Sequence, residues 1–238
     1  MSGGAPSSYG LDLLVFAAHP DDAEIGMGGT IAKAIRAGQK VGLVDLTYAE
    51  MSSNGDVETR QREAAAASAA LGLTVRENLG LPDRGLRTDA EQVDKLVSAI
   101  RRHRPRVVFA PYAIDRHPDH TMCSRMAEEA VFNAKLRRYM PEEPAWTADM
   151  LYFYFINDVH PPQLVVDITD VQETKMNALR AYRSQFEPFG SEADWVPTPL
   201  TAGYLGNVEA RDKLFGQPKK FAYAEGFIAK GPIAVDRF

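Results

Sequence analysis

The chain has 238 residues, 45% of them hydrophobic and 25% charged, which is the balance of a folded globular protein and excludes disorder; α/β domains of about 200–250 residues are ordinary single units. A formal charge of −5 with scattered Lys and Arg excludes a nucleic-acid surface, which draws its affinity from clustered cations. The single cysteine, Cys123, excludes an internal disulfide framework and fits a reducing compartment.

Residues 1–10 are small and polar, lack the basic and apolar regions of a signal peptide, and are expected to be a flexible segment ahead of one domain over residues 11–238. No apolar stretch approaches the ~20 residues that span a bilayer, so a cytoplasmic protein is expected. Residues 11–18 are continuously apolar, the mark of a buried parallel strand, and His19-Pro20-Asp21-Asp22 follow at once. Residues 24–37 then read as a helix stopped by Gly38. Glycines 26, 28 and 29 early in that helix predict close packing or close backbone approach. A nicotinamide-binding protein would carry G-x-G-x-x-G at this turn, so no dinucleotide site is expected.

A second strand spans 41–47, a helix 56–71 closes on Gly72, and a short strand near 74–78 precedes a loop over 80–87. The next helix covers 89–103 and the next strand 106–110. His117-Pro118-Asp119-His120 opens a helix that runs through Arg138. The basic runs 101–104 and 135–138 fall late in these helices, where cations favour the dipole. This alternation predicts a Rossmann-like, doubly wound, mostly parallel sheet flanked by helices, in a single α/β domain. Past Pro141 come extended runs at 150–156 and 163–168 and a helix over 171–186. A Pro-, Gly- and Thr-rich loop at 188–206, expected to lie over the pocket, leads to a last helix at 208–215.

A sheet with helices on both faces collects its functional groups outside the carboxyl ends of its strands, so the two acid-and-histidine clusters are expected in one pocket. Two imidazoles and a carboxylate converging there would supply the three protein ligands of a catalytic zinc, with the fourth position left to water. His19 and Asp22 can face one point if the chain turns into a helix between them, while Asp21 points elsewhere and stays free as a base. Only one of His117 and His120 is needed to complete the set; the other can carry a proton and stabilise an oxyanion, oriented by Asp119 or a backbone carbonyl. Singly, a histidine at a strand end reads as well as a satisfied polar residue, and an Asp before a helix as an N-cap; together the clusters point to function. Cys123 reads equally as a small buried hydrophobe or a metal-adjacent thiol. Trp146 and Trp195 read as core or loop anchors.

Ala18-His19-Pro20-Asp21-Asp22-Ala23-Glu24-Ile25-Gly26 with the downstream His117-Pro118-Asp119-His120 resembles the zinc-dependent N-acetylglucosamine deacetylases called LmbE-like or PIG-L-like. Ser52-Ser53-Asn54-Gly55, the Arg60 region, residues 81–86, Asp115-Arg116 and residues 223–227 resemble the branch of that family that deacetylates N-acetylglucosaminyl-malate in bacillithiol biosynthesis. The resemblance implies zinc held by His19, Asp22 and His120, with Fe(II) as an alternative. It implies Asp21 as general base, and His117 as stabiliser of the tetrahedral intermediate and acid toward the leaving amine. Tyr204 would be a mobile loop residue approaching the acyl oxygen. Arg60 and Asp83 would grip sugar hydroxyls, and Arg116 would meet an anionic aglycone, which an arginine fork suits. Relatives are often oligomeric, hexameric in that branch, and take small amino-sugar conjugates rather than nucleic acid or membrane. Each of these residues also has a plainer reading: Arg60 and Arg116 as solvated charges, Asp83 as part of a turn, Tyr204 as loop packing. Free N-acetylglucosamine, chitin oligosaccharides, or a thiol conjugate as amidase substrate would use the same centre. A non-catalytic sugar- or metal-binding module is the alternative from another class, one that needs neither a free Asp21 nor a second histidine.

Overall fold

The strands are β1 (Leu11–Ala17), β2 (Val41–Thr47), β3 (Val75–Leu81), β4 (Pro105–Pro111), β5 (Met150–Tyr154), β6 (Leu164–Asp167) and β7 (Ala224–Ala229). They form one sheet in the order β3-β2-β1-β4-β5-β7-β6. The first five are parallel, and β7 pairs antiparallel with both β5 and β6. The helices are α1 (Asp22–Arg36), α2 (Val57–Leu71), α3 (Ala90–His103), α4 (Pro118–Ala134), α5 (Gln172–Arg180), α6 (Arg183–Phe186) and α7 (Tyr204–Gly216). The computed structural model describes residues 9–188 and 195–234. Residues 1–8, in the segment expected to be flexible, and 189–194, in the loop expected over the pocket, lie outside the described residues. Tyr9 and Gly10 are tied down: the Tyr9 hydroxyl donates to Asp149 at 3.1 Å, and the Gly10 N–H donates to the Arg104 carbonyl at 3.1 Å.

The predicted doubly wound sheet is the one observed, and its central strand shows why both faces fill. Successive side chains of a strand point to opposite sides. Leu13, Val15 and Ala17 of β1 pack with α1, α2 and α5, while Leu14 and Phe16 pack with α3 and α4. An alternating pattern would leave one face polar; the unbroken apolar run serves both. Trp146 anchors its loop by donating Nε1–H to the Pro105 carbonyl at 2.8 Å. Cys123 is fully buried in the α3–α4 core, so it packs as a hydrophobe, and burial pushes its thiol well above the ordinary range. Among the described residues no helix is long and apolar enough to cross a membrane.

Three elements differ from expectation. The helix from His117 stops at Ala134, so Lys135 to Arg138 lie beyond it. The reason is Arg101, only 3% exposed, whose guanidinium donates to the carbonyls of Asn133, Ala134 and Leu136 at 3.0–3.3 Å. A cation in the last turn of its own helix thus also satisfies the orphan carbonyls of another. The helix expected over 171–186 divides into α5 and α6 around Tyr182, whose buried hydroxyl donates to Glu24 at 2.9 Å. β7 has no strong strand signal, since Glu225 and Gly226 interrupt its apolar residues.

Glu225 explains a break in α1. Met27 leaves helical geometry (φ −150°, ψ 22°), and the N–H groups of Gly29 and Thr30 that this frees donate to the Glu225 carboxylate at 2.9 and 2.6 Å. The early glycines do permit close approach: a Cβ on Gly26 would stand 2.2 Å from the Tyr154 ring and 2.9 Å from the Phe155 carbonyl. Gly26→Ala should therefore overpack the α1–β5 contact and cost about 1–3 kcal/mol, read as a lower urea midpoint with unchanged slope.

Candidate active site

Strand order reverses between β1 and β4, and a cleft of about 610 Å³ opens at their carboxyl ends, where an open α/β sheet places its ligands. The first cluster enters it on the turn from β1 into α1. Asp21, the residue before α1, has φ 115°, a left-handed conformation that costs a non-glycine residue on the order of 1–3 kcal/mol. On this turn the two adjacent carboxylates meet different partners. Asp22 Oδ2 accepts from the His19 backbone N–H at 2.8 Å and lies 3.3 Å from His19 Nδ1, while its Oδ1 lies 3.1 Å from His120 Nε2. Asp21 instead faces Arg60, with Oδ2 at 3.2 Å from Nη2.

The second cluster enters at the start of α4. His120 is held from behind by Asp115, whose Oδ1 stands 2.9 Å from Nδ1. His117 accepts the backbone N–H of Asp119 on Nδ1 at 3.2 Å, so its ring proton sits on Nε2. The rings gather closely, with centroids of His117 at 4.8 Å from His19 and 4.6 Å from His120. Nitrogen atoms of these three histidines lie within 4.8 Å of one another, as do donor atoms of His19, Asp83 and Asp119.

Charge follows from these contacts. Burial pushes the Asp21 carboxyl up to about 7 against the pull of Arg60. Burial alone would lower His120, but Asp22 and Asp115 outweigh it and raise the ring to about 9. His19 behaves alike: hydrogen bonding to Asp119, Asp22 and Asp83 overcomes burial and holds it well above the ordinary imidazole range. His117 has no such carboxylate contact, and burial with the neighbouring imidazoles pushes it down to about 4. At neutral pH the cleft thus holds one neutral imidazole that presents an N–H, beside two that are charged while no metal is bound.

The remaining predicted residues are placed as follows. Arg60 is 2% exposed; besides Asp21 it bonds the Pro20 carbonyl, and its Nε and Nη1 have no protein partner among the described residues. Asp83 turns its carboxylate inward, Oδ1 to His19 Nε2 at 3.2 Å and Oδ2 to the Met51 N–H at 2.9 Å. Arg116 is exposed at the cleft and donates to Asn157 Oδ1 at 3.1 Å. Tyr204, expected in the loop, is the first residue of α7; its hydroxyl donates to Asn157 Oδ1 at 3.0 Å and the Ile156 carbonyl at 3.2 Å, and burial pushes it up. Part of the expected loop does border the cleft, because Asn54 clamps Val196 in both directions at 2.8 and 2.9 Å and so brings Thr198 to Leu200 to its wall.

Sequence reading missed Asp115, Asn157 and Arg84. Asp115 had a signal, five residues before His120 in D-R-H-P-D-H; Asn157 had none, since it follows β5 far from either cluster. Asp119, expected to orient a histidine, stands 3.5 Å from His19 Nε2 through Oδ2, while Arg84 donates to its Oδ1 at 2.9 Å.

Residues 14–131 match the family model for PIG-L, GlcNAc-PI de-N-acetylase. The chain is 31% identical over 223 residues to the diacetylchitobiose deacetylase of Thermococcus kodakarensis, covering 87% of this chain and 79% of that protein. It is 30% identical over 188 residues to the probable N-acetyl-alpha-D-glucosaminyl L-malate deacetylase 2 of Bacillus subtilis, covering 74% and 83%. The conserved protein TT1542 of Thermus thermophilus superposes with a TM-score of 0.87 at 42% identity, over 94% of this chain and 97% of that one.

Proposed function

The chain belongs to the PIG-L family of LmbE-like deacetylases, and from that premise we propose that it removes the N-acetyl group from N-acetylglucosaminyl-malate, a step in cytoplasmic bacillithiol biosynthesis, with zinc as its metal. That it is an enzyme hydrolysing N-acetyl amides of N-acetylglucosamine-containing substrates follows from the family and the relatives together. The observation carrying the finer reading is Arg116. Of the three arginines lining the cleft, Arg60 faces Asp21 and Arg84 faces Asp119, whereas Arg116 has no carboxylate partner among the described residues. A guanidinium at the mouth that faces no carboxylate among the described residues suits the carboxylates of a malyl aglycone. The identity to a diacetylchitobiose deacetylase favours a chitin disaccharide as the second reading.

The donor set fits a zinc ion. Tetrahedral bonds of about 2.0–2.2 Å put neighbouring donors ~3.3 Å apart; the two oxygens of Asp22 stand one at 3.3 Å from His19 Nδ1 and the other at 3.1 Å from His120 Nε2, and ring nitrogens of the two histidines lie within 4.8 Å of each other. Zinc held there by His19, Asp22 and His120 would supply Lewis acidity, making water a nucleophile near pH ~7 and polarising the acetyl carbonyl. Asp21 takes the proton of the attacking water; a carboxylate raised to about 7 is matched to that task near neutrality. His117, neutral with its proton on Nε2, donates to the oxyanion of the tetrahedral intermediate. As the C–N bond breaks, the proton that Asp21 has taken goes to the departing nitrogen. The Tyr204 hydroxyl joins the oxyanion only by leaving Asn157. Arg60 lines the cleft and would meet sugar hydroxyls there, and Asp83 meets the sugar with whatever capacity His19 and Met51 leave it.

Amine release by zinc-loaded protein on N-acetylglucosaminyl-malate, N-acetylglucosamine and diacetylchitobiose tests the assignment. A kcat/KM highest on the malate conjugate, reduced at least about tenfold by Arg116→Gln with no change on the neutral sugars, is expected for a charge-assisted contact of ~1.5–3 kcal/mol. Preference for diacetylchitobiose would move the substrate and keep the chemistry.

A further inference from the structure

Asn157 lies just past β5, outside both clusters, and its carboxamide is bonded at each end. Oδ1 accepts from Arg116 Nη2 at 3.1 Å and from the Tyr204 hydroxyl at 3.0 Å. Nδ2 donates to Asp115 Oδ1 at 2.9 Å, and the Asn157 backbone N–H donates to Asp115 Oδ2 at 3.0 Å. Partner chemistry dictates this orientation. A guanidinium has donors only, so the amide oxygen must face Arg116, and the amide nitrogen is thereby turned to Asp115. Asp115 is already an acceptor at both oxygens, Oδ1 from Asn157 Nδ2 and the His117 N–H and Oδ2 from the Asn157 N–H, so it meets His120 as an acceptor too. The His120 nitrogen facing Asp115, Nδ1 at 2.9 Å, must then be the one carrying hydrogen, which leaves Nε2, on the Asp22 side, free of a proton whenever the ring is neutral.

We propose that Asn157 is a positioning residue that fixes the tautomer of His120 through Asp115 and joins it to Arg116 and Tyr204. The groups that meet the substrate and a group that holds the metal then share one hydrogen-bonded chain, Arg116 and Tyr204 to Asn157 to Asp115 to His120. This rests on the reading of the cleft as a zinc deacetylase site. An asparagine that merely closed the turn after β5 would need only its backbone N–H; here both side-chain atoms are committed. Loss of an outer partner of a metal-binding histidine weakens metal binding by about 10–100-fold. Asn157→Asp and Asn157→Leu separate the two arms. The aspartate keeps an oxygen toward Arg116 and Tyr204 but sets a second carboxylate against Asp115, whereas the leucine abolishes both contacts.

The test combines long-range ¹H–¹⁵N spectra of the imidazoles in the zinc-loaded wild-type protein with zinc affinities, from competition against a chromophoric chelator, of the wild type and both variants. The expected result is a His120 ring with its proton on Nδ1, and zinc binding about 10–100-fold weaker in each folded variant. KM should rise more in Asn157→Leu than in Asn157→Asp. A His120 proton on Nε2, or unchanged zinc affinity in a folded variant, overturns the proposal. The same spectrum of the metal-free wild type at alkaline pH, where no zinc dictates the tautomer, needs no variant and decides the matter even if both substitutions unfold the chain. A wild type that binds zinc with the expected tautomer but releases no amine from any acetylated sugar removes the deacetylase reading alone.

Discussion

Replacing Asp21 by Asn is expected to lower turnover by about 10²–10⁴-fold, the contribution of a positioned general base, while zinc stoichiometry stays at the wild-type level. The two halves of that expectation come from the turn at the end of β1. Asp22, not Asp21, lies between His19 and His120, so the metal-binding side is untouched, and the asparagine oxygen can still accept from Arg60. The pH profile separates loss of a base from loss of shape. A base works only when ionised, so kcat/KM falls as pH drops through its pKa. Asp21 stands at about 7 before a cation is added, and a dication nearby favours the ionised form, so the acid limb belongs at or below about pH 7. Asp21→Asn should lack that limb. A variant turning over at more than about a tenth of the wild-type rate would assign the base elsewhere.

Removing the metal is expected to abolish amine release without unfolding the protein, and zinc should restore it. The fold tolerates the loss because His19 and His120, both held above the ordinary imidazole range, become imidazolium and balance Asp22, Asp83, Asp115 and Asp119 in place of the ion. Zinc must then displace those protons. His120 at about 9 sets the sign: below that pH the metal-free ring is charged, so apparent zinc affinity rises as pH climbs toward about 9 and weakens on acidification. Zinc titrations at several pH values in a chelator-buffered assay check this, with circular dichroism of the stripped protein as the control for folding. Unfolding on stripping, or an affinity indifferent to pH, would show that the carboxylates are not balanced by these rings.

The residues legible in the sequence were those whose chemistry travels with their position. The unbroken apolar runs of β1 and β4 could only be strands covered on both faces, and whatever follows two neighbouring parallel strands must meet at their carboxyl ends; hence His19, Asp22, His117 and His120 were brought to one cleft by arithmetic on pattern alone. The orienting groups were illegible for the opposite reason. Asn157 and Arg84 act only through what stands opposite them, and nothing local marks an asparagine whose two ends are both used. Arg101 does lie in the last turn of α3, as its run predicts, but only the packing of α4 against α3 shows its second role. Tyr204 falls in a Pro-, Gly- and Thr-rich stretch that reads as a loop, although Gly203, at φ 77°, serves as the entry to α7.

The bond between Glu225 and the interior of α1 also sets an order on synthesis and folding. α1 presents Asp22 at its first residue, yet its second half is capped by a side chain 196 positions further along the chain. β7, which carries that side chain, is also the strand through which β6 joins the sheet. A nascent chain emerging from the ribosome can pair β1, β2, β3 and β4 early, since domains acquire structure from the N-terminal side during translation. The helix that carries the first cluster must wait for β7 to be made, and a contact of such sequence separation is slow to close. Hydrolytic competence is thereby withheld until β7 has joined the sheet, and truncations that spare every histidine and aspartate of the cleft but remove β7 should leave the centre unassembled.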